Sequence, residues 1–458
     1  MIFRSMRFAK IPLEAARWFL LLNIVVAVWL YGGTRDWTRE YVTWLLLANA
    51  AIFLLGTALQ RRLPGVPLAA SLAVLFLLAQ SGFMVWNAKR HWIDGFDVFV
   101  ERLQPLPGWP GFWDVAMVMP ALLLTVGLLG AFCIACDMAS TPAWRDRLLI
   151  TMAATGLSIV ILGLAQRLTE ADDIFWGLET RRGATFFAVF RYHANAGAFI
   201  NLVLPLQVAL GVRALRQEGA EAGRVFWLFA AFVTAAGGFV NVSKAANAIC
   251  FFLIVAMAFW FGANGSRVGG ARMCVVVVFA VLAVVGVAVS FGLEKSVNRW
   301  EDLFRVVNSG ERDSRLQAYE IIFKGALPEA GWWGSGPGTF ERMFDIQRAK
   351  LGSALEGRWD KAHSDPLQTL MEWGRAGALA LLVLLAGGLW KSIMGLRRKT
   401  PDAILAAGIA FALGGVMVHA LVDFPLQIAS LQLFTVVLAG LGWGSSIRPY
   451  VGLRGSRA

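Results

Sequence analysis

Three side chains in this sequence have the type and setting to do chemistry. His363, one of only four histidines, sits in the run Ala362-His-Ser-Asp-Pro-Leu-Gln368, just ahead of a helix that reads as re-entering the bilayer through Leu367 to Trp373. An imidazole is the side chain best poised to accept a proton near neutral pH; the plainer reading is a surface histidine in a loop. Arg315 opens what reads as an amphipathic helix, Gly310-Glu-Arg-Asp-Ser-Arg-Leu-Gln-Ala-Tyr319. Its planar guanidinium matches a diphosphate, donating two parallel hydrogen bonds to phosphate oxygens; the plainer reading pairs it with Glu311 or Asp313. Lys244 lies in the turn Asn241-Val-Ser-Lys244 between two strongly apolar segments, with no acidic residue close in sequence. A cation there attracts an anion, or else snorkels to the membrane interface.

Other motifs carry less. The turn Gly331-Trp-Trp-Gly-Ser-Gly-Pro-Gly-Thr-Phe340 lacks the Gly-Lys-Ser/Thr ending of a phosphate loop and reads as a tight turn for close backbone packing. Asp172-Asp173 has no neighbouring ligands and reads as a solvated loop. Cys133-Ile-Ala-Cys136, Cys250 and Cys274 all fall in apolar stretches, where they read as small residues in helix packing. No metal site and no cofactor is expected.

The elements that position these residues are membrane-spanning helices. Of 458 residues, 58% are hydrophobic and 16% charged, against about 25% charged in soluble domains. The chain reads as a single integral-membrane domain over 1–458. A hydrocarbon core needs about 20 apolar residues per helix, which predicts about twelve spans: 14–33, 41–59, 66–86, 113–138, 148–166, 193–212, 225–241, 245–262, 272–292, 374–394, 402–421 and 426–446. The first reads as a retained helix rather than a cleaved signal. Between the ninth and tenth lies a polar, partly helical loop, 293–373.

Lys and Arg concentrate in alternate connections, at Arg61 and Arg62, Arg145 and Arg147, Arg213 to Arg224, and Lys391 to Lys399. The positive-inside rule then puts both termini in the cytoplasm. The loop 293–373 faces outward, with the loop Arg191-Tyr-His193, the turn at Lys244 and the turn Val422-Asp-Phe-Pro425. The net charge of +12 is explained by that rule and by anionic headgroups; no nucleic-acid motif accompanies it.

Over residues 185–445 these segments resemble the O-antigen ligase and polymerase superfamily of bacterial membrane glycosyltransferases. The resemblance rests on Phe190-Arg-Tyr-His-Ala-Asn-Ala-Gly-Ala-Phe-Ile-Asn-Leu-Val-Leu-Pro205, on Asn241-Val-Ser-Lys-Ala-Ala246, and on Arg315. It continues through the Gly-Ser-Gly-Pro-Gly-Thr-Phe of 334–340, Ala362-His-Ser-Asp-Pro-Leu-Gln-Thr-Leu-Met-Glu372 and His419-Ala-Leu-Val-Asp-Phe-Pro-Leu-Gln427. It implies an all-α, polytopic, GT-C-like fold in the bacterial inner membrane with its site on the periplasmic side. The implied reaction is metal-independent, inverting transfer of a glycan from undecaprenyl diphosphate to a sugar hydroxyl. His363 would be the general base. Arg315, Lys244 and Arg191 would hold the diphosphate, with His193 and Asp423 in support. Lys244 stands where the family usually has arginine, keeping the charge and losing the fork.

The resemblance admits a polymerase, whose acceptor is another lipid-linked repeat, and a ligase, whose acceptor is lipid A core. A protein O-glycosylating transferase is a third member. The tail at 419–427 looks more like the polymerase and exopolysaccharide branch. Expected partners are the lipid-linked donor, the glycan or lipid A acceptor, bilayer lipids and a chain-length regulator. A lipid-linked glycan transporter is the competing class, but no repeated halves or matched interrupted helices are visible.

Overall fold

The computed structural model describes residues 10–93, 95–96, 98–177, 185–217, 219–264, 314–397 and 402–445. The expected span at 272–292 and the loop up to residue 313 lie outside the described residues, as does Cys274.

Hydrophobic runs become long helices: α1 (Ile11–Trp29), α2 (Asp36–Leu59), α3 (Leu68–Trp86), α4 (Val115–Ala139), α5 (Pro142–Leu168), α6 (His193–Leu215), α7 (Glu221–Val240) and α8 (Lys244–Asn264). After the undescribed stretch come the short helices α9 (Ser314–Ile321), continued by a π-turn and a single helical turn to Ala330, and α10 (Phe340–Lys350), then α11 (Asp365–Gly395), α12 (Asp402–Val422) and α13 (Ala429–Gly444). Among the described residues ten helices are long and apolar enough to cross a membrane. The chain is a multi-pass membrane protein.

α6 is the axis of the packing. Its most apolar window is 83% buried, because α5, α7, α8 and α12 all pack on it. α13 has 16 residues, fewer than a bilayer core asks for, because the turn Pro425–Gln427 and extended Ile428 take up the start of the expected span 426–446. It is nevertheless buried along its length between α4 and α11. Small residues permit this: a Cβ on Gly444 would lie 2.2 Å from the Cys136 carbonyl oxygen, and one on Gly442 2.3 Å from that of Gly388. Cys136 is thus a packing residue.

Two features depart from what the sequence suggests. A hairpin, β1 (Arg90–Ile93) with β2 (Val98–Glu101), occupies the connection after α3. Its Phe99 ring lies 4.8 Å from that of Trp113, and Arg342 of α10 sits over the same Phe99 ring. Asp173 is buried, not solvated; its carboxylate accepts from the Ile174 amide at 2.7 Å. The helix expected through 367–373 and the span expected from 374 form one element, α11, which starts at Asp365 and is broken at Gly374.

At one end of the bundle ion pairs tie helices together. Asp137 of α4 accepts from both Arg62 nitrogens at 2.6 and 3.0 Å, from Arg17 of α1 at 3.1 Å and from the Gly65 amide at 3.3 Å. Asp146 of α5 accepts from Arg213 of α6 at 3.0 and 2.8 Å, and Arg145 reaches Asp402 of α12 at 2.8 Å. The residues with chemical potential lie at the other end.

Candidate functional site

A break in α11 shapes the site. Gly374 interrupts the helix with φ +66°, ψ −177°, a backbone state that glycine alone adopts readily. The glycine-rich turn fills the break: the amides of Ser335 and Gly336 donate to the carbonyls of Met371 and Glu372 at 3.0 and 2.8 Å, and the Ala376 amide donates to Trp332 at 3.0 Å. A Cβ on Gly334 would fall 2.3 Å from the Glu372 carbonyl oxygen, and one on Gly374 2.4 Å from the Gly334 nitrogen. Gln80 of α3 closes the joint, its side-chain amide donating to the carbonyls of Trp333 and Trp373, both at 3.1 Å. The turn is a backbone clasp that fixes the first part of α11.

That part of α11 carries a buried polar chain. Asp365 accepts from the Leu426 amide at 2.8 Å and from the Gln427 side chain at 2.9 Å. Gln368 donates to Gln427 at 3.1 Å and to Glu372 at 3.0 Å, and its carbonyl oxygen accepts from the Ala362 amide at 3.2 Å. These bonds lock the segment 362–372 to the turn after α12.

His363 sits where the two segments meet. Its φ of +50° lies in the left-handed region, a strained state for a non-glycine residue, costing on the order of 1–3 kcal/mol. Its surroundings hold it there. Tyr319 of α9 donates its hydroxyl to the His363 carbonyl at 2.8 Å, and the Asp365 amide donates to the Asp423 carbonyl at 3.2 Å. The imidazole lies edge-on to Phe424 at 4.9 Å and to Trp359 at 5.8 Å. Its Nδ1 is 3.3 Å from Asp423 Oδ1. An Nδ1–H donated to Asp423 leaves the lone pair on Nε2, the tautomer a general base requires. The His363 side chain is 24% exposed and that of Asp423 6%, so the imidazole is reachable and its partner is not.

Asp423 is itself held. It accepts from the Phe424 amide at 3.0 Å and from the Tyr192 hydroxyl at 3.3 Å. Burial alone would raise its carboxyl, but the His363 hydrogen bond and the charges of His419, His363 and Arg315 outweigh that and hold it below the usual carboxylate value. Tyr192 stacks on Phe424, with centroids 5.4 Å apart and planes 3° from parallel. Burial pushes its phenol up to about 12, with Asp423 adding to the rise and Arg315 opposing it, so the hydroxyl stays a donor. Arg315 donates to the Val422 carbonyl at 3.3 Å and hydrogen-bonds Tyr192. One wall therefore joins α9, the start of α6, the turn after α12 and His363.

The remaining expected residues lie at the same end. Arg191 directly precedes Tyr192. The His193 carbonyl accepts from the Asn241 side chain at 2.9 Å, which sets the Lys244 turn against the start of α6. The His193 ring is engaged by Thr185 at 2.5 Å, which makes it a brace of this loop. Lys244 begins α8 half-buried, where the helix's first amides add to its attraction for an anion. The structure thus gathers His363, Asp423, Tyr192 and Arg315 directly, with Lys244, Arg191 and His193 beside them. Sequence reasoning missed Tyr192, Tyr319, Gln80, Gln368 and Gln427 as parts of this wall. Among the described residues no three His, Cys, Asp or Glu side chains group as metal ligands.

Residues 228–382 match the family model Wzy_C, O-antigen ligase. The chain therefore carries a Wzy_C O-antigen ligase family domain, which includes Lys244, Arg315 and His363, while Tyr192 and Asp423 come from outside it. No curated protein matches the chain.

Proposed function

We propose that this membrane protein transfers a glycan from undecaprenyl diphosphate to an acceptor sugar hydroxyl on the periplasmic face of the bacterial inner membrane, extending a surface polysaccharide. The Wzy_C domain supports glycan transfer of the O-antigen ligase and polymerase kind. The observation that carries the reading is the His363–Asp423 pair, with Arg315 across Tyr192 from it. In the proposed reaction the acceptor hydroxyl attacks the anomeric carbon and its proton passes to His363 Nε2. The bond from that carbon to the diphosphate breaks, and the diphosphate leaves with the electron pair. Asp423 stabilises the imidazolium that forms. Arg315, Lys244 and Arg191 neutralise the departing charge, a task that divalent metals perform elsewhere. Attack opposite the leaving group inverts the anomeric centre.

The acceptor distinguishes two readings. Polymerisation, which we propose, adds the chain to another lipid-linked repeat; ligation, which the family description names, adds it to lipid A core. A deletion strain separates them. Lipid A core carrying a single repeat is the expected result. Long polymer stranded on undecaprenyl diphosphate would instead assign the ligase. An unchanged surface glycan would overturn both.

A further inference from the structure

At the end of the bundle opposite His363, where Asp137 and Asp146 tie helices together, one arginine has a different setting. Arg147 of α5 is exposed, and its guanidinium sits over the ring of Trp144 at 4.7 Å and over that of Trp18 on α1 at 5.4 Å. The two indoles meet edge to face, 5.2 Å apart and 77° from parallel, so they form a corner with the guanidinium against both walls. Among the described residues no carboxylate or carbonyl hydrogen-bonds Arg147. The neighbouring carboxylates are already engaged: Asp146 by Arg213, Glu14 by Arg17 at 2.8 Å, and Asp137 by Arg62 and Arg17.

Two observations identify what meets it. The first is preorganisation. A guanidinium is planar and carries five N–H donors. Held by two rings within cation–π distance, Arg147 has given up much of its freedom and keeps its donors unspent. Such a fork matches the oxygens of a phosphate. The second is what lies beneath. Trp18 and Leu22 of α1 and Ile150 of α5 are 55%, 54% and 41% exposed, on helices that pack together and are long and apolar enough to cross the membrane. At about 1.5 Å per residue, Ile150 lies about 4.5 Å deeper than Arg147, and Leu22 about 6 Å deeper than Trp18. A cation at the membrane edge with an apolar strip running inward from it has the layout of a phospholipid, phosphate at the surface and chains below.

We propose that this corner binds the headgroup phosphate of one anionic phospholipid of the phosphatidylglycerol kind: Arg147 donates to the phosphate, and an acyl chain lies along Leu22 and Ile150. Net charge selects the class. Arg17, Arg62 and Arg147 gather here against Asp137 and Glu14, which leaves one positive charge in excess. A singly anionic headgroup cancels it, whereas a zwitterionic headgroup brings an ammonium back against the arginines. The bound lipid joins α1 to α5 at the end where Asp137 already joins α1 to α4, so occupancy stabilises the fold. The site lies away from His363 and is independent of the proposed reaction.

Native mass spectrometry of the purified, delipidated full-length protein tests this, with phosphatidylglycerol and phosphatidylcholine of the same chain length as probes. Wild type should bind a first phosphatidylglycerol about tenfold more tightly than phosphatidylcholine, and its melting temperature should rise as that lipid is added. Arg147→Gln should lose the preference, with affinity falling about tenfold; the side chain is exposed, so folding does not depend on it. Arg147→Lys, which keeps the charge without the planar fork, should recover only part of it. Trp18→Leu keeps an apolar surface and removes one wall of the corner, and should weaken binding about threefold. Arg39→Gln, which removes an exposed arginine at the opposite end, should bind as wild type does. Equal binding of phosphatidylglycerol by wild type and Arg147→Gln would overturn the proposal, as would equal affinity for phosphatidylcholine. An equal loss in Arg39→Gln would reduce the effect to overall charge, and displacement of the lipid by millimolar inorganic phosphate would make the corner a free-phosphate site; either result overturns it.

Discussion

Asp137 and Asp423 are both buried carboxylates near the ends of membrane-spanning helices, and their partners differ in kind. Asp137 accepts from two arginines and a backbone amide. All of these donors are fixed in charge at any ordinary pH, and together they join α1, α4 and the connection after α2. Asp423 accepts from a histidine, a tyrosine and a backbone amide. The histidine is the donor among them that can exchange a proton, and it is partly exposed. The first arrangement holds helices in place; the second orients an imidazole whose other nitrogen takes no part in the contact. A buried carboxylate therefore marks a clamp or a reactive site according to what it holds.

That contrast can be broken or sharpened by substitution. His363→Ala should lower transfer about 10²–10⁴-fold, the usual loss with a general base, at unchanged expression. Asp423→Asn keeps the size of the side chain and removes its charge; losing a charge-assisted hydrogen bond worth about 1.5–3 kcal/mol should lower turnover about 10–100-fold. Its stability effect has a defined sign. The folded carboxyl lies below its ordinary 3.8, so its contribution is fully present above that value and lost as pH falls through the lower folded value. Thermal melting of Asp423→Asn should accordingly differ most from wild type above pH 4 and converge with it in stronger acid. Tyr192→Phe removes one neutral donor and should cost only a few-fold in turnover, at about 1 kcal/mol. Asp137→Asn should leave turnover per folded molecule unchanged and lower the melting temperature, because it takes the counter-charge from two half-buried arginines. A turnover defect there, with stability intact, would erase the distinction between the two ends.

The long helices were legible because a bilayer demands runs of apolar residues, and the runs were present. His363 and Arg315 stood out because ionisable side chains are few in this chain. The first part of α11 was legible as a helix over 367–373, but not what holds it. Asp365, Gln368 and Glu372 make 365–373 look aqueous, yet their polar atoms are bonded to Gln427, Leu426 and Phe340 within the protein. Hydropathy measures what a residue is, not what meets it, so the distant turn that satisfies this helix leaves no trace in the local sequence. Tyr192 and Tyr319 escaped for a similar reason. A phenol has no spacing signature, and both act through partners more than 40 positions away. Gln80 was hidden in an apolar run, and only the break at Gly374 gives its amide a purpose. The hairpin after α3 is four residues a strand, short enough to pass for a connection.

The most direct test of the account is single-turnover transfer by purified His363→Ala beside wild type, with a saturating prenyl-diphosphate-linked donor and bound donor measured in the same samples. The account predicts undiminished donor binding with transfer slowed about 10²–10⁴-fold. Transfer at the wild-type rate with donor bound would contradict it, because the proton of the acceptor hydroxyl would then have to leave by another group.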